Sequence, residues 1–306
     1  MEPTMEPTRR AILGATIGLT IAAGAQAQRP DRGLADPGDP LIARTPDGLR
    51  LSVRSYGDPV RPELVLIHGL GQSRLSWDLQ TSSTLAQQFR IVTYDLRGHG
   101  DSDKPDAVSA YADGTRWADD LRAVIQAAGL RRPTLVGWSL GGLVIGHYLA
   151  RYGGDGVTGV NLVNAVTKLA PELLSPVARD FATKLASPDL SARTDAIEGF
   201  LAVCFAKQPP AATFRRMLVF NGMVPRAVQQ GIVQIGSDGL DDAFAGVSRL
   251  LVTYGAQDAL TLPAMSQRVL ALNPKARLSI YPDAGHTPFY EEPARFNAEL
   301  AAFAAS

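Results

Sequence analysis

A serine hydroxyl becomes a nucleophile near neutral pH only where a base can take its proton and a third group orients that base. The segment Gly137-Trp138-Ser139-Leu140-Gly141-Gly142 offers such a serine. It follows the apolar run Thr134-Leu135-Val136, with Pro133 closing the loop ahead of it. It opens a helical pattern through Leu140, Leu143, Val144, His147, Tyr148 and Ala150. Strand, sharp turn and helix in that order read as a nucleophile elbow. The turn lifts Ser139 clear of the sheet, and glycines two residues to either side are required because a Cβ there would collide with the neighbouring strand and helix. The chemistry this implies is acyl transfer.

The chain holds only four histidines. Of these, His286 lies in Ala284-Gly285-His286-Thr287-Pro288, after the strand-like Arg277 to Tyr281 and before a helix carrying Phe296, Leu300 and Phe303. A loop at the carboxyl end of a strand is where a base can reach the elbow. The expected acid is Asp258, in Gly255-Ala256-Gln257-Asp258, directly after the buried-strand pattern Leu250 to Tyr254. An oxyanion needs backbone donors. Leu140 gives one from the start of its helix. Leu70 is the expected second, in His68-Gly69-Leu70-Gly71 after the strand-like Glu63 to Ile67.

The remaining histidines and acids read as supports. His68 is expected to hold the oxyanion loop by hydrogen bonds, His99 to brace a glycine-flanked turn, and His147 to be a satisfied imidazole behind the elbow. Asp95 precedes the elbow and fits the fixing of its own loop. Asp283 stands too near His286 in sequence to orient it. Trp138 either lines the pocket or packs beneath the elbow.

With these residues in hand, the chain resembles a serine hydrolase of the α/β-hydrolase superfamily from about Leu49 to the C-terminus. The resemblance is carried by the HGLG turn, Tyr94-Asp95-Leu96-Arg97-Gly98-His99-Gly100-Asp101-Ser102, the elbow, the GAQD acid loop and the AGHTPF base loop. The chain order Ser139, Asp258, His286 is the one this superfamily uses. GWSLGGLV is similar to the elbow of carboxylesterases that cleave acyl-carrier methyl esters, and YDLRGHGDSDKP to the loop of enol-lactonases and cofactor-free haloperoxidase/perhydrolases. Epoxide hydrolases and haloalkane dehalogenases of this superfamily carry Asp where this chain has Ser139. The resemblance implies hydrolysis of a carboxylic ester or lactone through an acyl-enzyme. Perhydrolysis, C–C bond hydrolysis or a hydroxynitrile lyase reaction on the same triad stay open, as does a non-catalytic small-molecule receptor on the same scaffold. Leu70 departs from the aromatic that perhydrolases often carry after His-Gly.

These residues must be held by an α/β fold with a mostly parallel sheet and helices on both faces. The strands expected are Leu49 to Tyr56, Leu64 to Ile67, Ile91 to Tyr94, Thr134 to Val136, Gly159 to Val163, Leu250 to Tyr254 and Leu278 to Tyr281. The stretch at about 166–245 is too long for an ordinary connection and carries Phe181, Phe200, Phe205, Phe214, Met217, Phe220 and Met223, which predicts a helical cap. Most of those aromatics are expected to pack the cap onto itself. Residues 49–306 form the hydrolase domain in this reading, after a signal peptide at 1–27 and a flexible Pro-, Gly- and Asp-rich leader at 28–48.

The export reading rests on Arg9-Arg10-Ala11-Ile12-Leu13, an apolar run to Ala25 and the site Ala25-Gln26-Ala27, which together look like a twin-arginine signal cleaved after Ala27. The run is short for a membrane span of about 20 residues, so a periplasmic or secreted protein without stable membrane insertion is expected. The single cysteine, Cys204, allows no internal disulfide. At 45% apolar composition there is material for one large core, and a formal net charge of zero gives no footprint for nucleic acid. No dinucleotide fingerprint, P-loop or metal-ligand spacing appears. The expected partner is a small neutral or apolar substrate, and no cofactor is expected.

Overall fold

The computed structural model describes Met1 and residues 38–305. Eight strands form one sheet in the order β1-β2-β4-β3-β5-β6-β7-β8. They are β1 (Asp39–Arg44), β2 (Arg50–Tyr56), β3 (Glu63–Ile67), β4 (Arg90–Tyr94), β5 (Thr134–Trp138), β6 (Gly159–Val163), β7 (Leu250–Gly255) and β8 (Arg277–Tyr281). The first two pairings, β1 with β2 and β2 with β4, are antiparallel; every other pairing is parallel. This is the α/β-hydrolase fold.

The central strands are apolar along their whole length because helices cover both faces. On one face the helices Gly114–Ala127 and Leu140–Tyr152 bury Trp117, Leu121, Leu143, Val144 and Tyr148 with Phe244. On the other, the helix Pro293–Ala305 brings Phe296 and Leu300 against Trp77, Trp138 and Phe289. Two packed layers around a continuous sheet leave its carboxyl edge rigid, and ligands in such folds bind there.

Register sets which loops meet at that edge. Ile67 of β3 pairs Gly137 of β5, so the His68-Gly69 turn abuts Trp138 and Ser139. Trp138 pairs Val163 of β6, and Val163 pairs Thr253 of β7. The residue after each strand is thereby presented to the residue after the next.

Between β6 and β7 the chain forms five α-helices, Pro176–Leu185, Leu190–Val203, Ala211–Gly222, Arg226–Ile232 and Leu240–Ala245. Ser175 and Asp189 cap the first two by accepting from Ala178 N and Ala192 N, the usual role of these residue types at a helix start. Leu201, Phe205, Met217 and Phe220 are buried together with Cys204 and Leu260, so much of the aromatic content packs the insertion.

One expectation fails at the N-terminal side. The flexible leader assigned to 28–48 gives way at Asp39–Arg44, which forms the antiparallel edge strand β1 against β2. Its composition hides it. Pro40 is tolerated because an edge strand leaves some N–H groups unpaired, and only Ala43 of the six is fully buried. The signal and leader readings for residues 2–37, Arg9 and Arg10 included, lie outside the described residues.

Candidate active site

Ser139 stands between β5 and the Leu140–Tyr152 helix with φ 52° and ψ −117°. A side chain in that region is strained, and the neighbouring glycines make the turn feasible. A Cβ on Gly137 would come 2.6 Å from the Gly141 carbonyl oxygen, and one on Gly141 would come 2.6 Å from that of Ile67. The collision foreseen with strand and helix is therefore real at both positions. The Ser139 amide donates to the Val163 carbonyl, which anchors the turn to β6.

His286 and Asp258 meet across the β7 and β8 loops. The imidazole Nδ1 lies 2.8 Å from Asp258 Oδ2, and both side chains are buried. Asp258 also accepts from Asn164 Nδ2 at 2.7 Å, Leu260 N at 2.7 Å, Thr261 N at 3.2 Å and the Thr261 hydroxyl. Burial alone would push this carboxyl up, but the facing imidazole and these donors hold it below the ordinary carboxylate range. An ionised Asp258 accepts only, so in the neutral imidazole the proton sits on Nδ1 and Nε2 is the acceptor. That Nε2 is buried and has no hydrogen-bond partner among the described residues.

Ser139 and His286 face one cavity of about 120 Å³, whose other walls include Leu70, Leu140, Leu169, Leu174, Phe200 and Ile232. No hydrogen bond joins Ser139 Oγ to His286 Nε2 in this structure. Such bonds are commonly long without substrate and tighten in the reacting complex. The two expected oxyanion donors flank Ser139. Leu140 opens its helix, where the first N–H has no intrahelical acceptor. A Cβ on Gly69 would come 3.0 Å from that of Ser139, so the turn carrying Leu70 runs directly against the serine.

Two histidines strap this turn from behind. His68 Nε2 accepts from Leu96 N at 3.0 Å while its Nδ1 donates to Gly69 O at 2.8 Å. His99 Nε2 accepts from Gly71 N at 3.2 Å while its Nδ1 donates to Arg97 O at 2.9 Å. Both rings must be neutral to accept. Burial lowers His68 to about 4, and burial with the adjacent His68 lowers His99 to about 3. Since an unfolded chain takes up these protons nearer 6.5, the stabilisation is intact above that pH and is lost as pH falls towards 4 and then 3. The expected cost is on the order of 2 kcal/mol for each ring at about pH 5. A thermal midpoint that is as high at pH 5 as at pH 8 contradicts this assignment.

The other supports are placed as follows. Asp95 accepts from the Arg74 amide at 2.7 Å, from the Arg74 guanidinium and from Asp101 N at 3.0 Å, and so holds its own loop. Asp283 is exposed. Trp138 packs beneath the elbow, with Nε1 donating to the His286 carbonyl at 2.8 Å and its ring 4.9 Å from that of Phe289. His147 lies against Gly114, yet its Nε2 is buried without a partner, so it is not the fully satisfied imidazole expected.

Several contributors were missed. Asn164, Thr261 and Glu291 carry no chemistry of their own that sequence spacing could flag. Glu291 accepts from Gly285 N at 2.9 Å, the Thr287 hydroxyl at 3.0 Å and Lys207 N at 2.9 Å. His286 N donates to the Cys204 carbonyl at 3.0 Å. The base loop is thus clasped to the end of the Leu190–Val203 helix. An acid four residues after the Thr287 of the base loop is the one signal that could have pointed to Glu291.

Comparison with known proteins identifies the family. A model of the alpha/beta hydrolase family matches residues 64–299. Among solved structures, the chain is similar to a protein assigned as an aryl esterase from Burkholderia cenocepacia, at 40% identity and a TM-score of 0.83 over 87% of this chain and 97% of that one. It is also similar to the esterase RhEst1 from Rhodococcus sp. ECU1013, at 30% identity and a TM-score of 0.80 over 87% and 98%. Over 249 residues it is 26% identical to the pimeloyl-acyl-carrier-protein methyl ester esterase of Vibrio cholerae, covering 79% of this chain and 94% of that one.

Proposed function

Because the chain belongs to the alpha/beta hydrolase family, we propose that it cleaves small uncharged carboxylic esters or lactones through an acyl-enzyme on Ser139. His286 is the base, Asp258 orients it, and the N–H groups of Leu70 and Leu140 form the oxyanion hole. The observation that carries this reading is the buried, unpartnered His286 Nε2, which shares one cavity with a serine held at positive φ.

In the first half-reaction Ser139 Oγ attacks the carbonyl carbon while Nε2 takes its proton. The carbonyl oxygen gains charge and is held by the two backbone donors. Asp258 stabilises the imidazolium, and Nε2 then gives the proton to the departing alkoxide. Water repeats the sequence and frees Ser139. For a lactone, acid and alcohol leave as one molecule.

The cavity argues for the substrate class. Its walls are aliphatic and aromatic apart from Ser139, Thr261 and His286. A carboxylate or ammonium buried there would lose hydration without a partner, which is costly. At about 120 Å³, the space is well below the roughly 300–1,000 Å³ of drug-sized pockets. Residues of the β6–β7 insertion supply Leu169, Leu174, Phe200 and Ile232 to this wall, and the insertion acts as a lid that selects by size. Export by the twin-arginine route belongs to the same reading, on the strength of Arg9, Arg10 and the Ala25-Gln26-Ala27 site.

A panel of p-nitrophenyl esters alongside simple lactones tests the proposal. Acetate and butanoate are expected to exceed decanoate in kcat/KM by about 10-fold or more, since each methylene that finds no room forfeits up to about 0.8 kcal/mol of burial. Phe200→Ala should move the optimum to longer chains, while kcat on acetate changes little. A chain-length preference unchanged from wild type in a well-folded Phe200→Ala variant would contradict selection by the lid, and the absence of turnover on every ester and lactone would contradict the hydrolase reading.

A further inference from the structure

We propose that Asn164 is a positioning residue for the catalytic acid, an inference that rests on the assignment of Asp258 to that role. Apart from Ser139, it is the only non-glycine among the described residues with positive φ, at 41°. Asparagine tolerates this conformation better than most residues, because its short amide can bond locally. Here the amide is committed elsewhere. Oδ1 accepts from Gly255 N at 3.0 Å, and Nδ2 donates to Asp258 Oδ2 at 2.7 Å.

The orientation of the amide follows from its neighbours. Gly255 N–H can only donate, so the atom facing it must be oxygen, which turns the NH₂ towards Asp258. The backbone of Asn164 is fixed as well, since its N–H donates to the Thr253 carbonyl beside it. Gly255 ends β7 ahead of the acid loop and also lies against the base loop, where a Cβ on it would come 1.9 Å from the Gly285 carbonyl oxygen. Asn164 therefore grips the junction of the two loops through one amide end and the acid through the other. The oxygen it donates to is the same Oδ2 that receives His286 Nδ1–H. A shift there turns the imidazole.

A double-mutant cycle tests this in the full chain. Asn164→Gly keeps the backbone conformation free of strain and deletes only the amide. It is expected to lower kcat about 10-fold with KM changed by less than about two-fold, and to have no further effect on kcat in an Asp258→Asn background. The same fractional loss in both backgrounds, or an unchanged kcat, overturns the proposal. Asp258→Asn alone is the separate check on the underlying assignment: if it is silent, the acid is elsewhere and Asn164 has no catalytic partner.

Should Asn164→Gly fail to fold, Asn164→Asp gives a second reading, because it keeps the Gly255 acceptor. At low pH the introduced carboxyl, still protonated, donates to Asp258 as the amide did; its ionisation at higher pH sets two carboxylates against each other. The ratio of its kcat to that of the wild type should fall as pH rises. The other titratable neighbours of Asp258 besides His286 are Cys204 and Tyr254. Burial pushes Cys204 far up and Tyr254 to about 12, so neither contributes over that range. A ratio independent of pH would mark Asn164 as merely structural.

Discussion

Ser139→Ala should lower kcat on p-nitrophenyl esters by about 10⁵- to 10⁶-fold, and His286→Ala should do nearly the same. The two groups act as one unit, so the double variant is expected to be no slower than either single one. The folds should survive. The hydrogen bonds that seat the base loop, His286 N to Cys204 O and Trp138 Nε1 to His286 O, use the His286 backbone and persist in alanine. Steady-state kinetics with thermal melts measures both quantities. Near-wild-type turnover by a folded Ser139→Ala enzyme would show that another residue attacks the ester.

Asp258→Asn carries the next largest expected effect, a loss in kcat on the order of 10⁴-fold or less. The five donors converging on this carboxylate leave no place for an NH₂ group. Whichever way the new amide turns, it faces donors with a donor. With the NH₂ towards His286, Nδ1 must become the acceptor and Nε2 takes the proton, which removes the base. Some stability should go with it, because the displaced donors are buried. Two comparison variants sharpen the result. Asp283→Asn should be silent, since Asp283 is exposed, and Asp95→Asn should lower Tm through the lost Arg74 contact more than it slows chemistry. A silent Asp258→Asn beside a crippled Asp95→Asn would reassign the acid.

The fold was legible wherever a strand is buried on both faces. Leu64–Ile67, Thr134–Val136 and Leu250–Tyr254 are unbroken apolar runs because helices cover them on each side, and the loop after each is where chemistry must sit. Edge strands lack that pressure. Asp39–Arg44 has one fully buried residue and a proline, so it looked like linker. The same division runs through the site. Ser139, Asp258 and His286 are residue types that announce chemistry at the end of a strand, and the glycines beside Ser139 are demanded by a close approach that sequence spacing displays. Asn164 and Glu291 act by orientation alone, and a lone Asn after a strand or a Glu in a short helix looks like any solvated polar residue. The clasp through the Cys204 carbonyl is invisible in principle, since any residue supplies a carbonyl. Its partner is set by how the insertion folds back, which no local pattern encodes.

The central claim is that Ser139 is an activated nucleophile, and covalent labelling by a fluorophosphonate probes this most directly. Such a reagent reacts with a serine whose base and oxyanion donors are in place, irrespective of the natural ester. One adduct per chain is expected, mapped by peptide mass spectrometry to the segment containing Ser139. It should be slowed by a competing short-chain ester and abolished in His286→Ala. An unlabelled, folded protein, or a label on any other residue, would contradict the account and favour a silent binding scaffold over an enzyme acting through this serine.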